Sequence, residues 1–185
     1  MLKKLKKNMK QPRPHTNDHC IIAIYADDKK GLLAQILNMF NRRNYGISSL
    51  NVSRTDISEL VLITMEAKIP LNELQNLLLK IEKVIEVYKA MAWLPGEIEL
   101  NKVGFYRVSI ELLNDELWLL LQKYGASVTK IFDDSLVIQK TGTDKDLSEF
   151  YNRLDGQYLL SFCKSGLIAE KCMVQLNNYY ATVSV

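Results

Sequence analysis

The sequence has few of the residues from which metal and nucleophile sites are built. Its 185 residues include three cysteines, with no Cys-x-x-Cys pair, and two histidines, both near the start of the chain. The rest of the chain therefore offers neither a histidine-rich metal site nor the histidine of a Cys-His or Ser-His-Asp system. An odd number of cysteines, two of them within apolar stretches, predicts reduced, buried thiols in a cytoplasmic protein.

Long apolar segments are also missing. No apolar run approaches the roughly 20 residues that a membrane-spanning helix requires. Residues 1–14 carry six basic residues and no acid, and they lack the apolar core of a secretory signal. We therefore expect a protein that is neither exported nor inserted in a membrane.

The net charge of +3 is concentrated at the start of the chain. Without the six basic residues of positions 1–14, 18 positive residues face 21 negative ones, so the remainder is near −3. A basic arm can contact nucleic acid or a membrane. No aromatic residue interleaves this one as a stacking platform would require. We predict a disordered basic arm over residues 1–18.

Two successive parts of the chain share one order of predicted elements. In the first, strands are predicted at 19–26, 47–56, 59–67 and 84–93, with helices at 31–44 and from Pro70 onward. In the second, strands are predicted at 102–111, 126–132, 135–140 and 157–163, with helices at 114–123 and 144–153. The fold class is therefore α+β, with two ferredoxin-like βαββαβ domains at 19–94 and 97–169.

An internal echo supports this duplication. Tyr45-Gly46-Ile47-Ser48 and Tyr124-Gly125-Ala126-Ser127 each follow a predicted helix and lead into a strand. Residues 170–185 remain as a C-terminal tail. Its pattern favours a hairpin around Asn177-Asn178, with a frayed terminus as the alternative.

The loop before the first helix has the features of a small polar binding site. Gly31 allows a sharp turn and close approach of a ligand, and the following helix directs unpaired amides and a positive dipole end at the same place. A carboxylate suits that end, and the acceptor oxygens of Asp28 suit an ammonium group. Leu32, Leu33 and Ile47 are positioned to surround an apolar side chain. The alternative is that Gly31 only makes the turn and Asp28 caps the helix.

The second copy lacks this loop. Leu112-Leu113-Asn114-Asp115-Glu116 precedes its first helix, with no glycine. Only the first domain therefore keeps the predicted pocket.

The first domain resembles a known family through two stretches. Asp28 with Gly31-Leu32-Leu33, followed by Arg43, Tyr45, Ile47, Ser49 and Leu50, resembles the ACT domain of acetolactate synthase small subunits. The resemblance extends over about residues 19–169. It implies an ACT domain followed by a second ferredoxin-like domain.

This resemblance implies a regulatory subunit that is not an enzyme on its own. It would activate a catalytic large subunit and mediate feedback by a branched-chain amino acid, most simply valine. Thiamine diphosphate, magnesium and FAD would belong to the large subunit, and this chain would carry no cofactor. Two ACT domains would form a homodimer, with the amino acid between Gly31 of one chain and strand residues of the other. The implied ligand-binding residues are Asp28, Lys30, Gly31, Leu32, Gly46, Ile47 and Ser53.

Two positions depart from the family pattern. In that family, asparagine is usual at the positions of Asp28 and Gly46. The asparagine at the second position contacts the bound amino acid. A glycine offers no side-chain donor or acceptor, so we expect weak valine binding. The alternative interpretation of Gly46 is a helix C-cap in the left-handed region.

Two other functions stay open. A stand-alone amino-acid sensor needs no catalytic partner. A nucleic-acid-associated ferredoxin-like module is less favoured, because the predicted strands from Ile47 to Thr55 and Leu60 to Met65 carry no aromatic residue for base stacking. An independent enzyme is least favoured, because no acid-base pair or phosphate-binding loop is visible.

Overall fold

The computed structural model of the protein describes residues 17–172. The basic arm predicted at 1–18 lies almost wholly outside the described residues, and so does most of the predicted C-terminal hairpin. Residues Glu170–Cys172 of the predicted tail form a short 3-10 helix.

The first domain is a four-stranded antiparallel sheet with two helices. Its elements are β1 (Asn17–Asp27), α1 (Leu32–Asn41), β2 (Gly46–Arg54), β3 (Leu60–Pro70), α2 (Leu71–Ile81) and β4 (Val87–Trp93), and the strand order is β2-β3-β1-β4. Alternate residues of β1 face the helices, where Cys20, Ile22, Ile24 and Ala26 are fully buried. Both helices therefore cover the same face, called here the inner face.

The second domain repeats this arrangement. Its elements are β5 (Leu100–Ser109), a 3-10 turn (Ile110–Leu112), α3 (Asp115–Tyr124), β6 (Ser127–Ile131), β7 (Ser135–Gly142), α4 (Asp144–Leu154), β8 (Leu159–Lys164) and β9 (Ile168–Ala169). The strand order is β6-β7-β5-β8, and β9 pairs with the start of β5. The predicted α+β class with two βαββαβ units is confirmed.

The first helix of each domain ends in the same way, but the equivalent residues lie two positions away from those that the sequence echo pairs. In each, a residue in the left-handed region, Asn44 (φ 56°) or Gly125 (φ 60°), is followed by an amide that donates to the carbonyl five residues earlier. Those amides belong to Tyr45 and Ala126. Asn44 thus corresponds to Gly125, and the interpretation of Gly46 as a left-handed helix cap is wrong. Gly46 is the first residue of β2.

The outer face of the first sheet is covered by chain from the second domain. After β8, residues 165–169, called here the return segment, cross this face. Ile21 and Ala23 of β1 are fully buried there against Ile98, Leu167 and Ala169. The Thr64 hydroxyl donates to the Leu167 carbonyl at 3.0 Å. Gly166 passes so close to β2 that a β-carbon would lie 2.7 Å from Asn51 Cβ.

A buried ion network joins the domains at the same face. The Lys102 ammonium on β5 lies 2.8 Å from Glu66 Oε1 on β3 and 2.5 Å from Asp144 Oδ2 at the start of α4. Lys102 and Glu66 are both more than nine-tenths buried. The Glu66 contact is an ion pair whose geometry falls outside that of a hydrogen bond. The His19 imidazole lies 4.0 Å from the other Glu66 oxygen.

The network shifts the acid-base equilibria of its members. Burial lowers the pKa of Lys102, but its interactions with Asp144 and Glu66 outweigh burial and leave that pKa raised. Partial burial raises the pKa of Asp144, but Lys102 and then Lys164 outweigh it and leave that pKa lowered. The Lys102 contribution to stability is therefore lost only as pH rises through the raised pKa, and that of Asp144 as pH falls through the lowered one.

The cysteines agree in part with the sequence analysis. All three are free; Cys20 and Cys172 are buried, whereas Cys163 is exposed. Burial raises the pKa of both buried thiols to about 11.

Over residues 17–172, no helix has the length and apolar character to cross a membrane. The same residues contain no cluster of three or more His, Cys, Asp or Glu side chains that would suit a metal ion.

The ion network leads to a stability prediction. Lys102→Met leaves Glu66 charged, buried and unpaired, so we expect a loss of about 3 kcal/mol in the free energy of unfolding, measured in urea. Lys164→Met is the matched control, because this more exposed lysine also pairs with Asp144 and should cost less than about 1 kcal/mol. The double change Glu66→Leu with Lys102→Met should recover most of the loss. Equal small effects of both lysine changes would contradict the account.

Candidate functional site

The loop between β1 and α1 is held by backbone hydrogen bonds. The Asp28 amide donates to the Glu59 carbonyl at 2.7 Å, and the Lys29 amide donates to the Asp27 carbonyl at 2.8 Å. Gly31 then turns into the helix at φ 89°, in the left-handed region that favours glycine. A β-carbon at Gly31 would meet no described atom within 4 Å. The loop thus presents exposed backbone at the start of α1.

The positive dipole end of α1 has neither a side-chain cap nor, in its first turn, an acidic residue among the described residues. The other helices differ: α2 has Glu73 in its first turn, Asn114 caps α3, and a Thr143–Asp146 capping box starts α4. An anion placed at Gly31 would therefore meet amides that no described side chain already occupies.

Asp28 lies at this end of the domain but does not cap the helix. Its carboxylate accepts a hydrogen bond from Arg54 Nε at 2.7 Å, which ties the loop to the last residue of β2. The interpretation of Asp28 as a helix cap is therefore wrong. Both side chains are exposed, and an exposed ion pair contributes at most about 1 kcal/mol. A ligand ammonium can compete with Arg54 for this carboxylate.

The other predicted residues at this end are polar or already buried. Lys30 is exposed beside Gly31, and Ser53 is exposed near the end of β2, where its hydroxyl accepts from Asn51 Nδ2 at 3.0 Å. Leu32 is only 5% exposed and belongs to the inner core. In the single chain, Leu32 is thus packed in the core, and its predicted contact with a ligand stays a prediction. Leu33 is partly buried against the same core.

Gly46 and Ile47 lie at the opposite end of the domain. The ten residues of α1 separate them from Gly31, a length of about 15 Å. Gly46 is exposed, extended and open to solvent at the start of β2. Ile47 is partly buried against the core. A single chain therefore does not bring the predicted ligand-binding residues together.

The Arg-x-Tyr stretch before β2 fixes the far end of α1 to α2. Arg43 Nη1 donates to Glu73 Oε2 at 2.6 Å, and the Tyr45 hydroxyl donates to the same oxygen at 2.5 Å. Burial and then the Glu73 carboxylate raise the pKa of Tyr45. The Tyr45 ring also packs edge-on against Phe40 at 6.2 Å. This stretch positions the start of β2.

Sequence reasoning missed Arg54 and Glu73. Arg54 is the last residue of β2, and only the pairing of β2 with β3 places it beside Asp28, 26 residues earlier. Glu73 stands in the first turn of α2, and nothing in its neighbourhood indicates the contact with Arg43 and Tyr45.

In the second domain, the corresponding helix start, that of α3, is already capped. The Asn114 side chain accepts from the Leu117 amide at 2.9 Å, and Asp115 and Glu116 occupy the first turn. An anion there would meet two carboxylates. The restriction of the pocket to the first domain stays a prediction.

The comparisons with known proteins bear on the first domain directly. Residues 28–90 match the model of the ACT domain family. The first domain is an ACT domain. The Asp28–Gly31 loop, α1 and the edge strand β2 are thus parts of that domain.

The similarity also extends beyond the ACT domain. The chain is 26% identical over 155 residues to the acetolactate synthase small subunit of Haemophilus influenzae, covering 80% of this chain and 93% of that protein. It is 25% identical to the small subunit of Bacillus subtilis, covering 80% and 88%. The crystal structure of the small subunit from Thermotoga maritima superposes with a TM-score of 0.73 at 19% identity, covering 82% and 95%. The predicted resemblance to this family is confirmed.

The backbone at the two ACT glycines leads to a second stability prediction. Gly31→Ala should lower the free energy of unfolding by about 1 kcal/mol, because alanine is strained at φ 89° although the space is open. Gly46→Ala is the matched control and should be neutral or slightly stabilising, because Gly46 is open but lies in a strand. Urea unfolding of both variants measures the difference. A larger loss at Gly46 than at Gly31 would contradict the assignment of backbone strain to Gly31.

Proposed function

We propose that this chain is the regulatory small subunit of an acetolactate synthase. It binds the catalytic large subunit, raises its activity, and restrains it when a branched-chain amino acid occupies the ACT domain. The observation that carries this proposal is similarity to acetolactate synthase small subunits over 80% of the chain, through both domains. The ACT domain by itself supports only amino-acid sensing.

The amino-acid site is proposed between two copies of the chain. Asp28, Lys30, Gly31 and Ser53 lie at one end of the ACT domain, and Gly46 and Ile47 lie at the other. β2 is an edge strand of the described sheet, and Leu50 and Val52 on it are 37% and 45% exposed. An exposed strand edge favours pairing with another strand. Antiparallel pairing of two β2 edges would bring Gly31 of one chain toward Gly46 of its partner.

The chemistry of this composite site suits a free amino acid. The start of α1 favours the carboxylate, and Asp28 accepts from the ammonium group in place of Arg54. An apolar side chain would lie against Ile47 of the partner copy. Feedback then requires that the ligand bind one arrangement of the dimer better than another.

The catalytic chemistry is assigned to the large subunit. Thiamine diphosphate, magnesium and FAD are proposed to bind there, and this chain supplies neither a cofactor nor a reacting group. The transferase reaction and the cytoplasmic location are parts of the same proposal.

The test of function is an acetolactate assay on the large subunit of the same organism. We expect no acetolactate from the chain alone and a clear increase in the rate of the large subunit at equimolar chain. Valine should reduce that increase. An unchanged rate at every ratio would overturn the regulatory proposal, and retained valine binding in that case would indicate a stand-alone sensor.

The position of the ligand is tested with an added negative charge. Gly31→Asp should abolish the valine effect, because it places a carboxylate where the ligand carboxylate binds. Gly96→Asp is the matched control: Gly96 also has a positive φ (93°) and open space, but it lies in the interdomain linker. Activation without valine should persist in both variants. A normal valine response in Gly31→Asp would place the site elsewhere.

The affinity for valine is predicted to be weak because Gly46 has no amide side chain. A lost hydrogen bond to a charged group costs roughly 1.5 to 3 kcal/mol, which is about one to two orders of magnitude in affinity. Gly46→Asn should tighten binding, since an extended, open position accepts a side chain. Titration calorimetry of both chains with valine, leucine and isoleucine measures this. Micromolar valine binding by the parent chain would show that the missing amide matters little.

A further inference from the structure

The return segment, residues 165–169, is attached to the second domain at both of its ends. The Ser165 amide donates to the Val103 carbonyl at 2.8 Å, and the Val103 amide donates to the Ser165 hydroxyl at 2.8 Å. At the other end, β9 pairs with the start of β5. The two residues between these attachments, Gly166 and Leu167, are therefore held to β5 of the second domain.

These two residues contact a single cross-strand residue pair of the ACT sheet. Asn51 of β2 pairs with Thr64 of β3. The Thr64 hydroxyl donates to the Leu167 carbonyl at 3.0 Å, and a β-carbon at Gly166 would lie 2.7 Å from Asn51 Cβ. Gly166 does not have a positive φ, so glycine is required here by the close contact alone. Because Asn51 Cβ is fixed to the strand backbone, β2 cannot shift toward the return segment without displacing it.

The same contact adjoins the proposed amino-acid site. Asn51 Nδ2 donates to the Ser53 hydroxyl at 3.0 Å, and Ser53 is one of the proposed ligand-binding residues. The next residue, Arg54, pairs with Asp28 at 2.7 Å. Among the described strands, β2 pairs with β3 alone, so it is displaced more easily than the central strands. A ligand that moves Ser53 or Arg54 therefore acts on Asn51 within two or three residues.

We propose that the return segment transmits occupancy of the amino-acid site to the second domain, and that the contact of Gly166 with Asn51 is the point of transmission. This inference rests on the proposed function, which supplies the ligand. A close-packed contact passes a displacement on instead of absorbing it. A shift of β2 would displace Gly166, and Ser165 would pass the displacement to β5. By linkage, a partner that binds the second domain and favours one position of the return segment changes the amino-acid affinity by the same factor.

An added methyl group at Gly166 tests the contact without any ligand. Gly166→Ala should speed amide hydrogen exchange in residues 49–53 about tenfold, because overpacking at Asn51 strains the edge strand. Exchange in β4, at the opposite edge of the sheet, should stay unchanged. Gly142→Ala is the matched control: its β-carbon would lie 2.9 Å from Asp146 Cβ, a similarly close contact within the second domain. The control should leave residues 49–53 unchanged.

Removal of the contacted atom tests whether the effect comes from this contact. In an Asn51→Gly background, Gly166→Ala should change the exchange of residues 49–53 less than about twofold, because the β-carbon that it would meet is gone. An effect of the same size in both backgrounds would overturn the inference. The absence of any effect of Gly166→Ala in the parent background would also overturn it.

Thr64 provides a second pair of variants that involves no overpacking, for use if Gly166→Ala does not fold. Thr64→Val keeps the shape of the side chain but loses the hydrogen bond to Leu167, whereas Thr64→Ser keeps the hydroxyl. Exchange in residues 165–169 should be about fivefold faster in Thr64→Val than in Thr64→Ser. Equal exchange in the two variants would overturn the inference.

Added valine separates this inference from the proposed function. In the parent chain, free valine should slow exchange in residues 46–53 and in residues 165–169 over the same concentration range. Protection of residues 46–53 with no change at residues 165–169 would overturn the transmission and leave the proposed site in place. No effect of valine on residues 46–53 would overturn the proposed site, and this inference with it.

Discussion

The buried contact between the two domains is the constraint on which the rest of the structure depends. Lys102 of the second domain lies between Glu66 of the first and Asp144 at the start of α4, and the Thr64 hydroxyl holds the Leu167 carbonyl beside it. Two buried charges are tolerated only with close partners, so this contact fixes the orientation of the two domains relative to each other. It also occupies the outer face of the ACT sheet. The helices occupy the inner face, which leaves the β2 and β4 edges of the described sheet and the loops for other contacts.

The position of the candidate residues along the β2 edge explains why the site is divided. The start of α1 at Gly31, which no described side chain caps, and the start of β2 at Gly46 lie about one helix length apart. Neither end encloses a ligand alone, because Gly31 and Gly46 both face open space. A second copy paired along β2 would enclose the ligand with its own Gly46 and Ile47. The return segment contacts Asn51 in the middle of β2, so a ligand that shifts this strand would also act on the second domain.

The sequence predicted the fold well because its signals are local. Alternating apolar residues in β1, the helical spacing in α1 and the turn glycines all act within a few residues. The site was predicted only in outline. The turn at Gly31 was predicted from its place between a strand and a helix. The burial of Leu32 and the pairing of Asp28 with Arg54 depend instead on packing between distant residues. The alternative interpretation of Gly46 as a helix cap is wrong because the left-handed residue is Asn44, a residue type that tolerates this conformation without being glycine.

Amide hydrogen exchange with and without valine tests the central claim most directly, namely that an amino acid binds at the start of α1 and against β2 of a second copy. The account predicts slower exchange in residues 29–35 and in 46–53 together, with the two segments protected at the same valine concentration. Protection confined to one of these segments would contradict a site shared between two copies. Protection in neither segment would contradict the ACT site itself.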